Sequence, residues 1–227
     1  MNTKTLFLTG GAGEIGSAIA ERFQTAGYQI IAPRRTEMDL ENEQEISAFI
    51  SSLKGASIDA FIHCAGFNSP KTIQQIARDD IDRTMQINAM SFYSLCHGLI
   101  GGKHLQEGGA ILGVSSIYGF LVRKGRFSYS ASKHCLNGMV KTLALELGPM
   151  AIRANILAPG FVDTRMTRAN NSDTVIEGFR QKIPLGRLAM PTDIAEVAWF
   201  LCSPQNRYLT GQEIVVDGGY SIGGFEQ

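Results

Sequence analysis

A phenol, an ammonium group and a hydroxyl stand at spacings that can bring them into one pocket. Tyr129 and Lys133 lie four residues apart in a segment with helical patterning, so their side chains share one face of the helix. A phenol has an ordinary pKa of about 10, and a nearby positive charge favours its ionised form and suits it to proton transfer. Ser116 ends a predicted strand and can supply a second hydroxyl. The three residues therefore indicate a general acid–base site.

Strand and helix patterns alternate along the whole chain, which is typical of an α/β fold. Because strands joined through helices pair in parallel, the pattern predicts a Rossmann-type, doubly wound parallel sheet with helices on both faces. No repeat or linker divides residues 1–227, so we expect a single domain. The predicted strands span 4–9, 28–32, 58–64, 110–115, 151–157 and 212–216, and the predicted helices span 14–26, 41–53, 79–99, 128–148 and 191–202.

The link after the second strand is too short for a full crossover. Residues 33–40 alone separate that strand from the next helix, whereas a parallel crossover needs about a dozen residues or more. We therefore expect six to seven strands, six of them main strands, with a shortened edge after strand two. A regular helix between Pro33 and Asp39 would contradict this expectation.

A glycine-rich turn follows the first strand and opens directly into a helix. Glycine lets the backbone approach a pyrophosphate closely, and the helix N-terminus presents free N–H groups to it. The strand–turn–helix context makes the pattern informative for a dinucleotide cofactor. The residues expected to contact the cofactor here are Thr9, Gly10, Gly13, Glu14, Ile15 and Gly16.

The end of the second strand selects between the two nicotinamide cofactors. A carboxylate there would bind the adenosine ribose hydroxyls of NAD(H), but the strand ends at Ala32. Arg34 and Arg35 follow, and guanidinium groups bind a 2′-phosphate through charge-assisted hydrogen bonds. The sequence therefore favours NADP(H), while Glu37 leaves NAD(H) as a possible alternative.

Together, the glycine turn and the Tyr-x-x-x-Lys pair resemble the short-chain dehydrogenase/reductase family, in particular the single-domain branch that includes 3-oxoacyl-carrier-protein reductases. The resemblance covers essentially the whole chain. It implies an NADP-dependent oxidoreductase that interconverts a carbonyl and a secondary alcohol by hydride transfer, with Tyr129 as general acid/base. It also implies a catalytic tetrad of Asn88, Ser116, Tyr129 and Lys133. In that tetrad Lys133 binds the nicotinamide ribose and Asn88 holds a water that links Lys133 to solvent.

The same resemblance implies further cofactor contacts. Asp39 and Leu40 resemble the pair beside the adenine, and Thr164 resembles the threonine that binds the nicotinamide amide. The implied contacts are completed by Cys64, Ala65, Gly66, Pro159, Gly160 and Val162, together with Asn88, Tyr129 and Lys133.

Three places depart from the family's pattern. Glu14 replaces the middle glycine of this branch's loop, His63-Cys64 replaces an Asn-Asn pair, and Gly113 replaces an asparagine. The spacing through Gly13 is instead similar to that of longer members that modify sugar nucleotides. Two alternatives therefore stay open: a sugar-nucleotide oxidoreductase or epimerase, and a non-catalytic NADP-sensing binding protein.

The composition gives no reason to expect a macromolecular partner of opposite charge. Lys and Arg number 21, as do Asp and Glu, so no general attraction to nucleic acid or to a membrane surface is expected. The four cysteines are scattered, which suits a reducing compartment, and we expect a cytoplasmic protein with a small-molecule carbonyl or alcohol substrate. Three adjacent pairs of histidine and cysteine lack the Cys-x-x-Cys spacing of a zinc site, so no metal is expected. These pairs are His63-Cys64, Cys96-His97 and His134-Cys135.

Residues 165–190 resemble the family's substrate lid. We expect a short helix over about 172–182, because a structureless loop of this length is unusual in a compact domain. Basic residues near Tyr129 and at the start of this segment indicate either an anionic partner or ordinary solvated surface; they are Arg123, Lys124, Arg126, Arg165 and Arg168. The helices predicted over 79–99 and 128–148 are apolar on more than one face, which together with the resemblance implies a homodimer or homotetramer.

Overall fold

The computed structural model describes residues 3–223 and contains one parallel sheet of six strands. The strands are β1 (Thr5–Thr9), β2 (Gln29–Ile31), β3 (Ile58–His63), β4 (Leu105–Val114), β5 (Arg153–Pro159) and β6 (Glu213–Val216). They lie in the order β2-β1-β3-β4-β5-β6, and each neighbouring pair is parallel. The expected single-domain Rossmann-type fold is confirmed. Because the chain reverses its direction across the sheet between β1 and β3, the carboxyl ends of these strands form the crevice where such folds bind ligands.

Helices cover both faces of the sheet. They are α1 (Glu14–Thr25), α2 (Glu43–Ser52), α3 (Arg78–Met85), α4 (Ser91–Gly101), α5 (Phe127–Leu147), α6 (Arg165–Ala169), α7 (Asp173–Lys182) and α8 (Pro191–Cys202). Successive residues of a strand point to opposite faces, so Leu6 and Leu8 pack under α1 and α8 while Phe7 packs under α2, α4 and α5. None of the helices within residues 3–223 is long and apolar enough to cross a membrane.

Side-chain caps explain where two of the helices begin. The Asn42 side chain accepts hydrogen bonds from the N–H groups of Gln44 and Glu45, so α2 starts at Glu43, two residues later than predicted. The Ser172 hydroxyl accepts from the Val175 N–H and starts α7. Each cap satisfies N–H groups that the first turn of a helix leaves without a partner. The short helix expected over about 172–182 is confirmed as α7.

The shortened sheet edge is also confirmed. Strand β2 has three residues and forms the edge of the sheet. Beyond it the chain makes a turn in which the N–H groups of Glu37 and Met38 both donate to the Arg34 carbonyl. No regular helix forms between Pro33 and Asp39.

The long helix predicted over 79–99 differs from the structure. Helices α3 and α4 are separated by one π-helical turn, Gln86–Met90, which contains the buried Asn88. The Asn88 amide makes hydrogen bonds to both backbone groups of Phe67, at 2.7 and 2.9 Å. A π turn inserts an extra residue into a helix and is frequent at functional sites. Here it aims the Asn88 side chain at the Phe67 backbone.

A buried histidine joins the first and third strands to this π turn. The His63 ring Nε2 lies 3.2 Å from the Ile87 carbonyl, which can only accept, so Nε2 carries the proton. The other ring nitrogen, Nδ1, then accepts from the Thr9 hydroxyl at 2.9 Å. Burial and the nearby charge of Lys133 lower the pKa of His63 to about 3. The histidine is therefore neutral in the folded protein at neutral pH.

This neutral histidine predicts a pH-dependent loss of stability. Below its ordinary pKa of 6.5, His63 takes up a proton in the unfolded chain, while the folded protein resists protonation until about pH 3. The unfolded state therefore binds more protons in this window, and stability falls as pH falls through it. We expect a cost of about 3 kcal/mol at pH 4 from this residue, because each unit of pKa shift corresponds to about 1.4 kcal/mol.

Urea unfolding of the wild type and of His63→Asn at pH 7, 5 and 4 measures that loss. The variant should lose less stability than the wild type between pH 7 and 4. The matched control is His97→Asn, which replaces an exposed histidine. This variant should lose as much stability between pH 7 and 4 as the wild type does. Equal slopes for His63→Asn and the wild type would contradict the prediction.

Candidate active site

A cleft of about 540 Å³ opens at the carboxyl ends of the central strands. Most of the residues expected from the sequence line it. They are Gly10, Gly13, Glu14, Ile15, Gly16, Arg35, Cys64, Ala65, Gly66, Ser116, Tyr129, Lys133, Pro159, Gly160, Val162 and Thr164. Five expected residues do not line it: Thr9, Arg34, Asp39, Leu40 and Asn88.

The glycine turn forms a tight cradle at one end of the cleft. Gly10 has φ +73°, and a Cβ on it would lie 2.6 Å from the Ala65 nitrogen. A Cβ on Gly16 would overlap the Gly10 carbonyl oxygen. The turn can therefore bring the N-terminus of α1, with its unpaired N–H groups, directly to the cleft. This cradle fits the pyrophosphate of a dinucleotide.

Glu14 lies at that cradle and is neutralised. Its carboxylate accepts from the Arg165 backbone N–H at 2.6 Å and from the Arg168 guanidinium at 3.3 Å. The Arg165 guanidinium lies 3.7 Å away. Glu14 is thus compatible with an anion at the cradle, because its negative charge is neutralised by Arg165 and Arg168 at the start of residues 165–190.

The two arginines expected at the adenosine end are placed differently. Arg35 lines the cleft and pairs with Asp39 at 3.0 Å and with Glu41 at 2.7 Å. Arg34 is exposed and does not line the cleft. The Glu41 N–H and the Arg35 guanidinium hold the pKa of Asp39 below its usual value. The Leu40 carbonyl accepts from the Gln86 side chain at 3.1 Å.

Arg83 is a second cation on the cleft, and the sequence does not point to it. It comes from α3, its guanidinium lies 4.3 Å from the centre of the Phe67 ring, and it contacts Glu41 at 3.1 Å. No motif or spacing relates it to the glycine turn. Other lining residues were also missed. They are close in sequence to expected residues and could have been found from that closeness; they are Phe67, Ile87, Val114, Ser115, Arg165, Met166 and Thr167.

Lys133 is a buried cation with one carbonyl partner. It is 3% exposed, and its ammonium donates to the Val114 carbonyl at 2.8 Å. An ammonium has three N–H donors, so two remain for groups in the cleft. Burial lowers the pKa of Lys133 to about 8.

Ser116 and Tyr129 present hydroxyls to the same cleft. The Ser116 oxygen accepts from the Tyr118 N–H at 3.2 Å, which leaves its proton free to donate. Burial raises the pKa of Tyr129, and the Ser116 hydroxyl and the Arg126 guanidinium partly offset this effect. The Lys133 ammonium lies 5.7 Å from the centre of the Tyr129 ring.

Asn88 and Thr164 bind backbone groups around the cleft. The Asn88 amide donates to the Ser132 hydroxyl at 2.9 Å, in addition to its two bonds to Phe67. Asn88 thus ties α5 to the chain beside Gly66, while its contact with a water stays a prediction. Thr164 starts α6, and its hydroxyl accepts from the Thr167 N–H at 3.3 Å.

Comparison with known proteins agrees with this geometry. The model of a family described as enoyl-(acyl carrier protein) reductase matches residues 32–221. The 3-oxoacyl-[acyl-carrier-protein] reductase FabG of Rickettsia felis is 34% identical over 234 residues, covering 95% of this chain and 96% of that protein. The corresponding FabG of Aquifex aeolicus is 32% identical over 217 residues, covering 95% of this chain and 86% of that protein.

Solved structures match over nearly the whole chain. A short chain dehydrogenase family protein from Francisella tularensis superposes with a TM-score of 0.91 at 28% identity, covering 97% of this chain and 100% of that one. A blue fluorescent protein from a metagenomic library, in complex with NADPH, superposes with a TM-score of 0.89 at 26% identity, covering 97% and 98%. With the cradle, the cleft and the hydroxyl pair described above, these matches make the chain an oxidoreductase enzyme of the short-chain dehydrogenase/reductase family.

Proposed function

We propose that this enzyme interconverts a carbonyl and a secondary alcohol with NADP(H), and that Tyr129 transfers the proton. The observation that carries the proposal is the convergence of Ser116, Tyr129 and Lys133 on the cleft that also contains the glycine cradle. The nicotinamide, when bound, supplies or accepts the hydride.

Ser116 and Tyr129 act on the oxygen of the substrate. Negative charge develops on that oxygen during reduction, and a hydroxyl donor aimed at it lowers the barrier. Ser116 is suited to donate, since its own oxygen is engaged by the Tyr118 N–H. Burial raises the pKa of Tyr129, so the phenol is protonated at neutral pH, as a proton donor for reduction must be.

Lys133 orients the nicotinamide ribose and contributes a positive charge to the cleft. Its two remaining N–H donors suit ribose hydroxyls, while the Val114 carbonyl fixes the ammonium in place. Asn88 positions the Phe67 backbone along the cleft. We propose that residues 165–190 form a substrate lid. The segment begins at Arg165, whose N–H donates to Glu14, and its Met166 and Thr167 line the cleft.

NADP(H) is favoured over NAD(H) because the cations Arg35 and Arg83 line the adenosine side of the cleft. A 2′-phosphate would replace Asp39 and Glu41 as the partner of Arg35. The NADPH complex of the metagenomic neighbour supports this choice. The names of the FabG relatives make 3-oxoacyl thioesters a substrate class to test.

Loss of NADPH absorbance against a carbonyl panel tests the reaction itself. The panel includes an acetoacetyl thioester, keto-sugars and simple ketones. Reduction of at least one class is expected. Absence of turnover with all of them, using either NADPH or NADH, would refute the proposal.

Tyr129→Phe removes the hydroxyl of the proposed proton donor and keeps the ring. Turnover should fall by about a thousandfold, since a positioned acid contributes roughly 10²–10⁴ in rate, while the NADPH dissociation constant changes little. The control is Tyr118→Phe, whose ring lies 6.4 Å from that of Tyr129 and whose loss should cost under about tenfold. Retained turnover in Tyr129→Phe would exclude the assigned role.

Arg35→Ala tests the choice of cofactor. The Michaelis constant for NADPH should rise about tenfold or more, and that for NADH less than about threefold, because a hydrogen bond between charged groups is worth roughly 1.5–3 kcal/mol. Arg34→Ala is the matched control and should have a smaller effect, as Arg34 does not line the cleft. Equal changes for both cofactors in Arg35→Ala would argue against a 2′-phosphate site.

We also propose a homo-oligomer assembled through α4 and α5. Three large apolar side chains on these helices are exposed: Tyr93 at 52%, Phe127 at 51% and Leu145 at 82%. Leu145→Arg should shift the particle to a monomer in light scattering at micromolar concentration, because a charge at the centre of an apolar contact is left unpaired. Leu185→Arg, at an exposed leucine in residues 165–190, is the control and should not change the mass. A wild-type monomer would contradict the proposal.

A further inference from the structure

A second buried cation lies next to the two hydroxyls. Arg126 precedes α5, and although it is an arginine it is 7% exposed. Its Nη1 atom is buried without a hydrogen-bond partner. Several other arginines form ion pairs, whereas Arg126 forms none with any residue in 3–223. The Nη1 group of this guanidinium has therefore lost its water and gained no protein partner.

The guanidinium lines a small cavity that the Ser116 and Tyr129 hydroxyls also line. This cavity has a volume of about 90 Å³, and its walls include Ser116, Tyr129, Arg123 and Arg126. Asn170 and Asn171 close it from the 165–190 side. No Asp or Glu lines it within the described part of the chain. The cavity therefore holds two cations and no compensating acid.

Several other arginines near the site have carboxylate partners. Arg35 pairs with Asp39 and Glu41, and Arg168 pairs with Glu14 and Asp163. Burial and the charge of Arg123 instead lower the pKa of Arg126, and Tyr118 and Tyr129 offset only part of this effect. A buried unpaired charge is costly, and an anion delivered to it removes most of that cost.

We infer that Arg126 binds a carboxylate of the substrate, so that this enzyme acts on short oxo acids and the corresponding hydroxy acids. The inference rests on the proposed carbonyl chemistry at Ser116 and Tyr129 and adds the substrate class. With the carboxylate on Arg126, the oxo group of the same small molecule is presented to the two hydroxyls that line the same cavity.

Size and geometry favour a carboxylate attached to the reacting molecule. The planar fork of an arginine matches a carboxylate through two parallel hydrogen bonds. The cavity accommodates a short chain, whereas the main cleft of about 540 Å³ is required for the dinucleotide. A neutral thioester placed at the same hydroxyls would leave the Arg126 guanidinium without a partner.

Matched acid and ester pairs measure the effect directly. The substrates are acetoacetate and levulinate, each compared with its methyl ester, together with an acetoacetyl thioester, at saturating NADPH. For the wild type, kcat/KM should be about tenfold or more higher for the acids, as expected for a charge-assisted hydrogen bond. Arg126→Gln should lower kcat/KM for the acids by about a hundredfold and for the esters by less than about threefold, and Arg126→Lys should recover part of the loss.

Lys124→Gln is the matched control, because it removes one positive charge from the same loop at an exposed position. It should keep the wild-type preference for acids. A wild type that reduces esters and thioesters as well as acids would overturn the inference. So would an equal loss on acids and esters in Arg126→Gln, since that result describes a structural role.

A binding measurement separates failure of this inference from failure of the proposed reaction. Malonate, a dicarboxylate that cannot be reduced, should bind to the protein loaded with NADP⁺ in calorimetry, and Arg126→Gln should weaken this binding by about tenfold or more. If no carbonyl compound is turned over, the proposed reaction is wrong. Malonate binding that is unchanged in Arg126→Gln would refute the anion site whatever the turnover.

Discussion

The burial of Lys133 is the constraint on which the rest of the site depends. Its ammonium is removed from water and held by the Val114 carbonyl at the end of β4. Burial keeps the His63 ring neutral, the charge of Lys133 adds to this effect, and the neutral ring connects Thr9 of β1 to the π turn. The Lys133 ammonium thus contributes to the protonation state of a neighbour as well as offering donors to the cleft. Burial costs stability, and proteins accept such costs at functional sites.

Charged groups around the cleft fall into two kinds. Glu14, Arg35 and Arg168 are neutralised by neighbours that the fold provides. Lys133 and Arg126 are buried beside the Ser116 and Tyr129 hydroxyls, and neither has a carboxylate partner in the described residues. Exposed pairs contribute little to stability because water screens them. The buried groups matter more for chemistry, since a low-dielectric pocket strengthens each interaction with a bound molecule.

Local patterns were sufficient to predict the architecture and much of the site. The apolar strand runs, the glycine turn and the four-residue spacing of Tyr129 and Lys133 are all short-range signals, and the structure brings them to one cleft. What the sequence could not predict depends on partners that are remote in the chain. The cleft position of Arg83, the pairing of Arg35 with Glu41 and the burial of Arg126 are set by tertiary packing. The π turn was missed because it is a single short turn, Gln86–Met90, inside a stretch whose pattern is otherwise helical.

The contact between Glu14 and the start of residues 165–190 joins the proposed dinucleotide site to the proposed substrate lid. Glu14 lies in the first turn of α1, at the cradle, and it binds the backbone of Arg165. A displacement of that turn would act on the hydrogen bond to Arg165 and on the ion pair with Arg168. Coupling of this kind is reciprocal, so each ligand changes the affinity for the other by the same factor.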